Sequence, residues 1–216
     1  MDFAAARAGM VERQIVARGI ADPHVLAAMR EVPREAFVPP AEALFAYDDG
    51  PLPIEAGQTI SQPYIVALMI AAAGVAPGAR VLEIGAGSGY AAAVIGRIAA
   101  RVIAIERHRE LADLAADRML RLGYRNVEIV HGEGSAGWPE GAPFDAILAA
   151  ASGNHVPQSL LDQLRVGGCL VMPVGGAHEV QDLVRVTRRD PDRYEQESLC
   201  PVRFVPLIGA AGWADG

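Results

Sequence analysis

Three glycines at alternate positions, Gly85, Gly87 and Gly89, have the type and spacing needed to bind a nucleotide-like ligand. They follow a strand pattern at 81–84 and precede an alanine-rich helical pattern, so they occupy a strand, turn and helix unit. Gly85 and Gly87 would let a ligand approach the main chain, and Gly89 would let the helix pack close to the strand. Roughly 20 residues further on, a second strand pattern ends at Glu106, whose carboxylate is placed to accept hydrogen bonds from both hydroxyls of a ribose.

The acidic residues around these glycines narrow the class of ligand. Glu83 lies inside the first strand and Glu106 closes the second, on either side of a Gly-x-Gly-x-Gly turn. This arrangement resembles the first two motifs of the Rossmann-like methyltransferases that use S-adenosylmethionine. A nicotinamide-dependent dehydrogenase is the rival enzyme class, although the glycine spacing and the helical patterns that precede the first strand count against it. A module that binds the cofactor or a damaged peptide without turnover is the non-enzyme alternative.

Two further polar residues have a structural and a functional interpretation. Ser61 and Thr59 stand just before a helix that begins at Pro63, where hydroxyl residues commonly cap backbone N–H groups. No Gly-x-Ser-x-Gly elbow surrounds Ser61, which disfavours a serine hydrolase. Glu133 lies between two glycines at the carboxyl end of a strand pattern, where it is either a solvated turn residue or an acceptor for an adenine amino group.

The order of the predicted elements indicates an α/β fold with a mostly parallel central sheet and helices on both faces. Helical patterns at 3–18 and 23–29 form an N-terminal cap, and strands are predicted at 81–84, 102–105, 127–130, 144–149 and 169–173. Further helices are predicted at 64–73, 109–122 and 156–164, and Gly167 and Gly168 are predicted to form a turn. A polar hairpin at 189–193 then joins a strand at 181–188 to one at 202–207, as antiparallel C-terminal strands.

We expect one methyltransferase domain over 1–216. Its predicted parts are a helical cap and substrate loop at 1–58, a cofactor-binding α/β core at 59–180, antiparallel strands at 181–208 and a tail at 209–216.

Composition excludes several function classes. The net charge of −7 and the absence of a basic cluster argue against a nucleic-acid partner. No signal peptide can be drawn through the charged N-terminus, and the longest apolar run is too short to span a bilayer, so we expect a soluble protein without a membrane partner. Two unpaired cysteines fit a reducing, cytoplasmic setting. The five histidines show no metal-ligand spacing, so no metal is expected.

Taken together, these motifs resemble one family, the protein-L-isoaspartate (D-aspartate) O-methyltransferases. The resemblance keeps order and spacing over about residues 7–208 and rests on 51–63, 81–90, 105–107, 142–147, 156–168, 173–175 and 203–207. Residues 58–63 are the most specific of these motifs, because they are not shared by methyltransferases at large. Glu55 departs from the glycine common in the family, and Glu133 replaces the usual aspartate.

The resemblance implies a cofactor, a substrate and a set of site residues. The cofactor would be S-adenosyl-L-methionine, converted to S-adenosyl-L-homocysteine, and Ser61 would be the catalytic residue. The implied cofactor-binding residues are Gln58, Thr59, Ile60, Ser61, Glu83, Gly85, Ala86, Gly87, Ser88, Glu106, Arg107, Gly132 and Glu133. The implied substrate-binding residues are Ile54, Ser61, Val202, Arg203, Phe204 and Val205, with main-chain hydrogen bonds from 202–205 to the peptide.

The implied reaction is methyl transfer to the free carboxylate of L-isoaspartyl residues in damaged proteins and peptides. The resulting ester would cyclise to a succinimide, whose hydrolysis partly restores normal aspartate. We expect a monomer. The sequence leaves open activity on D-aspartyl residues and the alternative that an ordinary aspartate on a dedicated peptide is methylated.

Overall fold

A seven-stranded sheet forms the centre of the computed structural model, which describes residues 1–177 and 179–214. A separate two-stranded hairpin precedes it. In chain order the strands are β1 Leu52–Pro53, β2 Thr59–Ile60, β3 Arg80–Ile84, β4 Arg101–Glu106, β5 Val127–His131, β6 Phe144–Ala149, β7 Leu164–Val174, β8 Gln181–Asp190 and β9 Arg193–Val202.

The large sheet has the order β5-β4-β3-β6-β7-β8-β9. Its first five strands are parallel, and β8 and β9 join antiparallel. The direction in which strands are added reverses between β3 and β6. In open α/β sheets the ligand crevice lies at the carboxyl ends of the strands beside such a switch point.

The helices cover both faces of this sheet. They are α1 Phe3–Met10, α2 Pro23–Glu31, α3 Pro63–Ala72, α4 Tyr90–Gly96, α5 Arg109–Arg121 and α6 Gln158–Asp162. Along β4, Val102 and Ala104 belong to the apolar cluster that contains side chains of α1 to α5, while Ile103 and Ile105 belong to the cluster that contains α6. Because successive strand residues point to opposite faces, these buried runs are apolar throughout. The predicted fold class is confirmed.

Local signals explain where the cap helices begin and end. The α1 helix continues through a π turn, Val11–Ile15, and a 3-10 turn, Val16–Arg18, and it stops at Gly19, which adopts a φ of 88°. The Asp22 side chain accepts hydrogen bonds from the N–H groups of His24 and Val25, and Pro23 opens α2. Two 3-10 turns, Arg34–Phe37 and Pro40–Phe45, then lead to the hairpin of β1 and β2.

The C-terminal strands differ from the sequence prediction. The partner of β8 is β9, Arg193–Val202, and the predicted strand at 202–207 is wrong. β9 is the edge strand of the sheet, and its middle, residues 195–198, is polar and exposed, so it carries no apolar alternation there. Residues 203–207, which are apolar apart from Arg203, leave the sheet and lie at the carboxyl ends of its strands instead.

The connection before β7 also differs from the prediction. The α6 helix ends at Asp162 and β7 begins at Leu164, so Gly167 and Gly168 lie inside the strand rather than in a turn before it. The pairing of β6 with β7 shifts register beside them, between Phe144 and Ala146. A Cβ on Gly168 would lie 3.0 Å from the carbonyl oxygen of Asp145, so this irregularity requires glycine.

Candidate active site

A cleft of about 810 Å³ lies at the carboxyl ends of β3, β4, β5 and β6. It brings together most of the site residues predicted from the sequence. Those that line it are Gln58, Thr59, Ile60, Ser61, Glu83, Gly85, Ala86, Gly87, Ser88, Glu106, Arg107, Gly132, Val202, Arg203, Phe204 and Val205. Ile54 and Glu133 do not line this cleft.

The glycine turn forms the floor of the cleft. Gly85, Gly87 and Gly89 have φ values of 84°, 54° and 87°, which side-chain-bearing residues rarely adopt. The turn is tied to the next strand, because the carbonyl oxygen of Ile105 accepts hydrogen bonds from the N–H groups of Gly85 and Ala86 at 2.8 and 3.1 Å. The close approach at Gly89 is to α5 rather than to the strand, since a Cβ there would lie 3.1 Å from the Met119 methyl carbon.

Glu106 stands at the rim of this floor with its carboxylate held by the main chain. One carboxylate oxygen accepts from Gly87 N at 2.8 Å and the other from His108 N at 2.9 Å. Each oxygen keeps a second lone pair, so the group can accept further hydrogen bonds. This geometry suits a diol such as the ribose of a nucleoside.

Glu83 is the most unusual group in the cleft. It is only 2% exposed, and its Oε2 atom has no hydrogen-bond partner among the described residues. Burial, and secondly the nearby charge of Glu106, raise the pKa of the Glu83 carboxyl to about 8. A buried acceptor of this kind is satisfied by a cationic or hydrogen-bond-donating ligand, and the ammonium group of an amino acid has both properties.

Ser61 lines the opposite wall, in the short connection between β2 and α3. The N-cap residue of α3 is Gln62, and among the described residues no hydrogen bond from the Ser61 hydroxyl caps that helix. The Ser61 carbonyl oxygen accepts a hydrogen bond from the Arg34 guanidinium at 2.9 Å. The main chain is therefore held while the hydroxyl is available to a ligand.

Residues 202–205 form a third wall, and part of their main chain is already engaged. Phe204 N donates to the side-chain oxygen of Gln181 at 2.8 Å, and the Val205 carbonyl accepts from Ser152 N at 2.8 Å. Val202 belongs to the ladder between β8 and β9. Among the described residues, the main-chain groups of Arg203 and the N–H of Val205 have no such partner, so they are the ones available to an incoming peptide.

The two predicted residues outside the cleft lie next to residues that line it. Ile54 is buried, and its Cδ1 atom would lie 3.6 Å from a Cβ on Gly87, so it packs against the glycine turn. Glu133 lines a neighbouring pocket of about 380 Å³ together with Gly132 and Trp213. Its carboxylate accepts a hydrogen bond from Ser135 N, at the end where the C-terminal segment folds over the sheet.

Several residues that build the site were missed from the sequence. Gln181 is 2% exposed and holds the 202–205 wall, Tyr90 lines the cleft at the start of α4, and Arg34 is fully buried beside Ser61. They come from different parts of the chain and share no short motif. Their shared role in building the cleft is visible only once the fold brings them together.

Among the described residues, no group of three or more His, Cys, Asp or Glu side chains is arranged to hold a metal ion, and no helix has the length and apolar character needed to cross a bilayer.

The fold and the cleft define a Rossmann-like methyltransferase. A family model described as protein-L-isoaspartate(D-aspartate) O-methyltransferase matches residues 6–212. The chain is 61% identical over 212 residues to protein-L-isoaspartate O-methyltransferase 1 of Rhodopseudomonas palustris strain HaA2, covering 98% of this chain and 86% of the relative. It is 58% identical to the protein-L-isoaspartate O-methyltransferase of Methylorubrum extorquens strain PA1, covering 99% of this chain and 93% of that one.

A solved structure extends the similarity to three dimensions. It is a crystal structure from Plasmodium falciparum, described as a putative protein-L-isoaspartate O-methyltransferase in complex with S-adenosyl-L-homocysteine. It superposes with a TM-score of 0.80 at 27% identity, covering 94% of this chain and 98% of that one. The chain therefore belongs to the protein-L-isoaspartate(D-aspartate) O-methyltransferase family.

Proposed function

We propose that this protein transfers the methyl group of S-adenosylmethionine to the free carboxylate of L-isoaspartyl residues in damaged proteins and peptides. The observation that carries the proposal is one cleft of about 810 Å³ lined by Ser61, Glu83 and Glu106. This set offers a hydroxyl donor for a carboxylate and two acidic acceptors for a cationic nucleoside. Family membership over 6–212 supports the same reaction.

The residues of the cleft fit the cofactor group by group. The unpartnered Glu83 carboxylate would accept the ammonium of the methionine part, and Glu106 would accept the ribose hydroxyls. Residues 85–88 would pass beneath the methionine part, with 58–61 above it, while Arg107, Gly132 and Glu133 would surround the adenine, Glu133 accepting from its amino group. When bound, S-adenosylmethionine supplies a methyl group on a positively charged sulfur, which is released as the neutral thioether S-adenosylhomocysteine.

The substrate needs little acid or base assistance. An isoaspartyl side chain has an ordinary carboxyl pKa near 4, so it is anionic at neutral pH and already a nucleophile. One carboxylate oxygen forms the new bond to the methyl carbon as the carbon–sulfur bond breaks, and no proton is moved. The task of the protein is to position the two reactants in line, which contributes about 7 to 11 kcal/mol when the geometry is held.

Ser61 would supply that orientation. Its hydroxyl would donate a hydrogen bond to one carboxylate oxygen and direct the other toward the methyl group. The main-chain groups of Arg203 and the N–H of Val205 would hold the peptide beside it, as in strand addition. A backbone nitrogen then attacks the ester carbonyl and displaces methanol. The product is a succinimide, whose formation begins the repair.

Three finer statements belong to the same proposal. The whole chain acts as one methyltransferase domain with the predicted parts, it works as a monomer without a nucleic-acid partner, and it acts in the cytoplasm. The net charge of −7 supports the absence of a nucleic-acid partner, because a negatively charged protein is repelled by a phosphate backbone. Size-exclusion chromatography with light scattering measures the mass directly, and a dimer mass would contradict the monomer.

The test compares matched peptides that carry isoaspartate, aspartate or D-aspartate at one position, with methyl-labelled S-adenosylmethionine. Transfer to the isoaspartyl peptide, followed by release of labelled methanol in mild base, is expected. Transfer only to an aspartyl peptide would replace repair with the dedicated-peptide function. Binding of cofactor with no transfer to any peptide would contradict the proposal.

Ser61→Ala tests the role of the hydroxyl. The loss of one hydrogen bond to a charged group costs about 1.5 to 3 kcal/mol, which lowers kcat roughly 10- to 150-fold while the Kd of the cofactor changes little. Ser198→Ala is the matched control. The Ser198 hydroxyl lies on the edge strand β9 and donates a hydrogen bond to the Asp182 carboxylate on β8. Equal rates for Ser61→Ala and Ser198→Ala would refute the role of Ser61.

A further inference from the structure

Arg34 is a buried cation next to Ser61 that the reaction described above does not use. Its side chain is fully buried in the 3-10 turn Arg34–Phe37. The guanidinium donates to the Ala46 carbonyl at 2.7 Å and to the Ser61 carbonyl at 2.9 Å. Its central carbon lies 4.8 Å from the centroid of the Tyr90 ring. One planar group therefore joins the N-terminal cap, the Ser61 connection and the first residue of α4.

No carboxylate among the described residues pairs with this charge within ion-pair distance, and one guanidinium nitrogen, Nη1, has no hydrogen-bond partner. Burial lowers the pKa of Arg34, and the nearby Tyr90 and Tyr47 oppose that shift. An unpaired buried cation costs several kcal/mol of desolvation, and replacing buried charges by well-packed apolar residues is often neutral or stabilising. Its presence calls for a role other than stability.

The contacts of Arg34 connect the two groups that must be aligned for methyl transfer. Ser61 lies in a connection of two residues, 61 and 62, and its carbonyl is held by Arg34. Tyr90 follows the glycine turn directly, and it is kept in place by an edge contact with the Phe37 ring at 5.6 Å between centroids. The guanidinium lies over this fixed ring and bonds the Ser61 carbonyl, so it holds the Ser61 main chain at a fixed position relative to the glycine turn.

We propose that Arg34 is a positioning residue for methyl transfer, which sets the direction of the Ser61 hydroxyl relative to the glycine turn. The proposal rests on the proposed function of the cleft. Displacing a reacting group by about 1 Å lowers rates about 100-fold, so a small movement of Ser61 is sufficient. Arginine suits this role because its planar fork serves two carbonyls and stacks on an aromatic ring at once, which a lysine ammonium cannot do.

The test is a double-mutant cycle with isoaspartyl peptide and S-adenosylmethionine. In the wild-type background, Arg34→Lys is expected to lower kcat about 10- to 100-fold, with the KM for S-adenosylmethionine within about 3-fold. In the Ser61→Ala background, the same substitution is expected to change kcat less than about 2-fold, because the group that Arg34 directs is absent. Independent, multiplicative effects would overturn the proposal.

Arg97→Met is the matched control for lost stacking and lost stability. The Arg97 guanidinium lies 4.6 Å from the centroid of the Tyr124 ring, and it pairs with Glu31 at 3.3 Å, away from the cleft. This variant is expected to lower Tm with kcat unchanged. A comparable fall in kcat for Arg97→Met and Arg34→Lys would assign the effect to stability.

Two precautions keep the outcomes separate. A fall in Tm of more than about 15 °C corresponds to several kcal/mol for a chain of this size. If Arg34→Lys lowers Tm by that much, Arg34→Gln replaces it in the cycle. The glutamine amide keeps a hydrogen-bond donor for one of the two carbonyls. Formation of S-adenosylhomocysteine by the wild type with isoaspartyl peptide is measured first. A wild type without that activity refutes the proposed function, whereas an active wild type with a multiplicative cycle refutes only the role of Arg34.

Discussion

Glu83→Gln should change how the stability of the unliganded protein depends on pH. The Glu83 carboxyl has an ordinary pKa of 4.5 in the unfolded chain and one of about 8 in the folded protein, because it is buried and lies near the charge of Glu106. Between these values the folded protein holds a proton that the unfolded chain has released. The stabilising effect of that proton is therefore complete below pH 4.5 and is lost as pH rises to 8.

The size of the effect follows from the shift. Each pH unit well inside the window removes about 1.4 kcal/mol and the loss tapers near the folded pKa, so the free energy of unfolding falls by about 2 kcal/mol between pH 6 and pH 8 through this group alone. Glutamine has nearly the same shape and does not titrate. The difference in unfolding free energy between Glu83→Gln and wild type should therefore move by that amount in favour of the variant.

Urea unfolding of both proteins at pH 6, 7 and 8 measures this difference, and the contributions of the histidines cancel because both proteins contain them. Parallel stability curves would refute the raised pKa. A second readout uses the cofactor, since an ammonium beside Glu83 would expel the proton. Calorimetry at pH 7 in two buffers should give roughly one more proton released per S-adenosylmethionine by wild type than by Glu83→Gln.

Two further substitutions test the supports of the cleft. Glu55→Gln removes the carboxylate that lies 3.4 Å from the buried Arg118 guanidinium, so the unfolding free energy in urea should fall by about 1 to 3 kcal/mol. The exposed pair of Glu128 with Arg101 is the control, since Glu128→Gln should cost less than about 1 kcal/mol, and equal losses would count against a special role for Glu55. Gly89→Ala combines a φ of 87° with a close contact to α5, whereas Gly78→Ala has the same φ and open space. Both should lose about 1 to 3 kcal/mol of unfolding free energy from the backbone alone, and Gly89→Ala should lose more and bind the cofactor more weakly; identical values would contradict the packing argument.

The sequence predicted the parts of the molecule in which local pattern and tertiary position agree. The central parallel strands β3, β4 and β6 are almost wholly buried, so they appear as largely apolar runs. The cap helices carry their own start and stop signals, Asp22 and Gly19. The glycine turn is encoded within five residues, 85–89, because its conformation requires glycine at each alternate position.

Features that depend on contacts between distant segments could not be predicted. An arginine between Pro33 and Glu35 has the pattern of an exposed charged turn, yet Arg34 is fully buried. The β9 strand lacks alternation because its middle, residues 195–198, is polar and exposed, so the sequence pattern favours the more apolar stretch after it as the strand. Likewise, the raised pKa of Glu83 arises from burial and from Glu106, 23 positions away, which are consequences of the finished sheet.

The walls of the cleft come from distant parts of the chain, from Pro51 and 58–66 to 201–208. During synthesis on the ribosome the glycine floor therefore emerges long before the wall at 201–208 that completes the cleft. A nascent chain that has produced only the first five strands of the sheet has the floor without the third wall, and the apolar surface beneath that wall is open to solvent or chaperones. The ability to hold a cofactor and a peptide together thus arises only after residues 201–208 have been synthesised, when most of the core has formed.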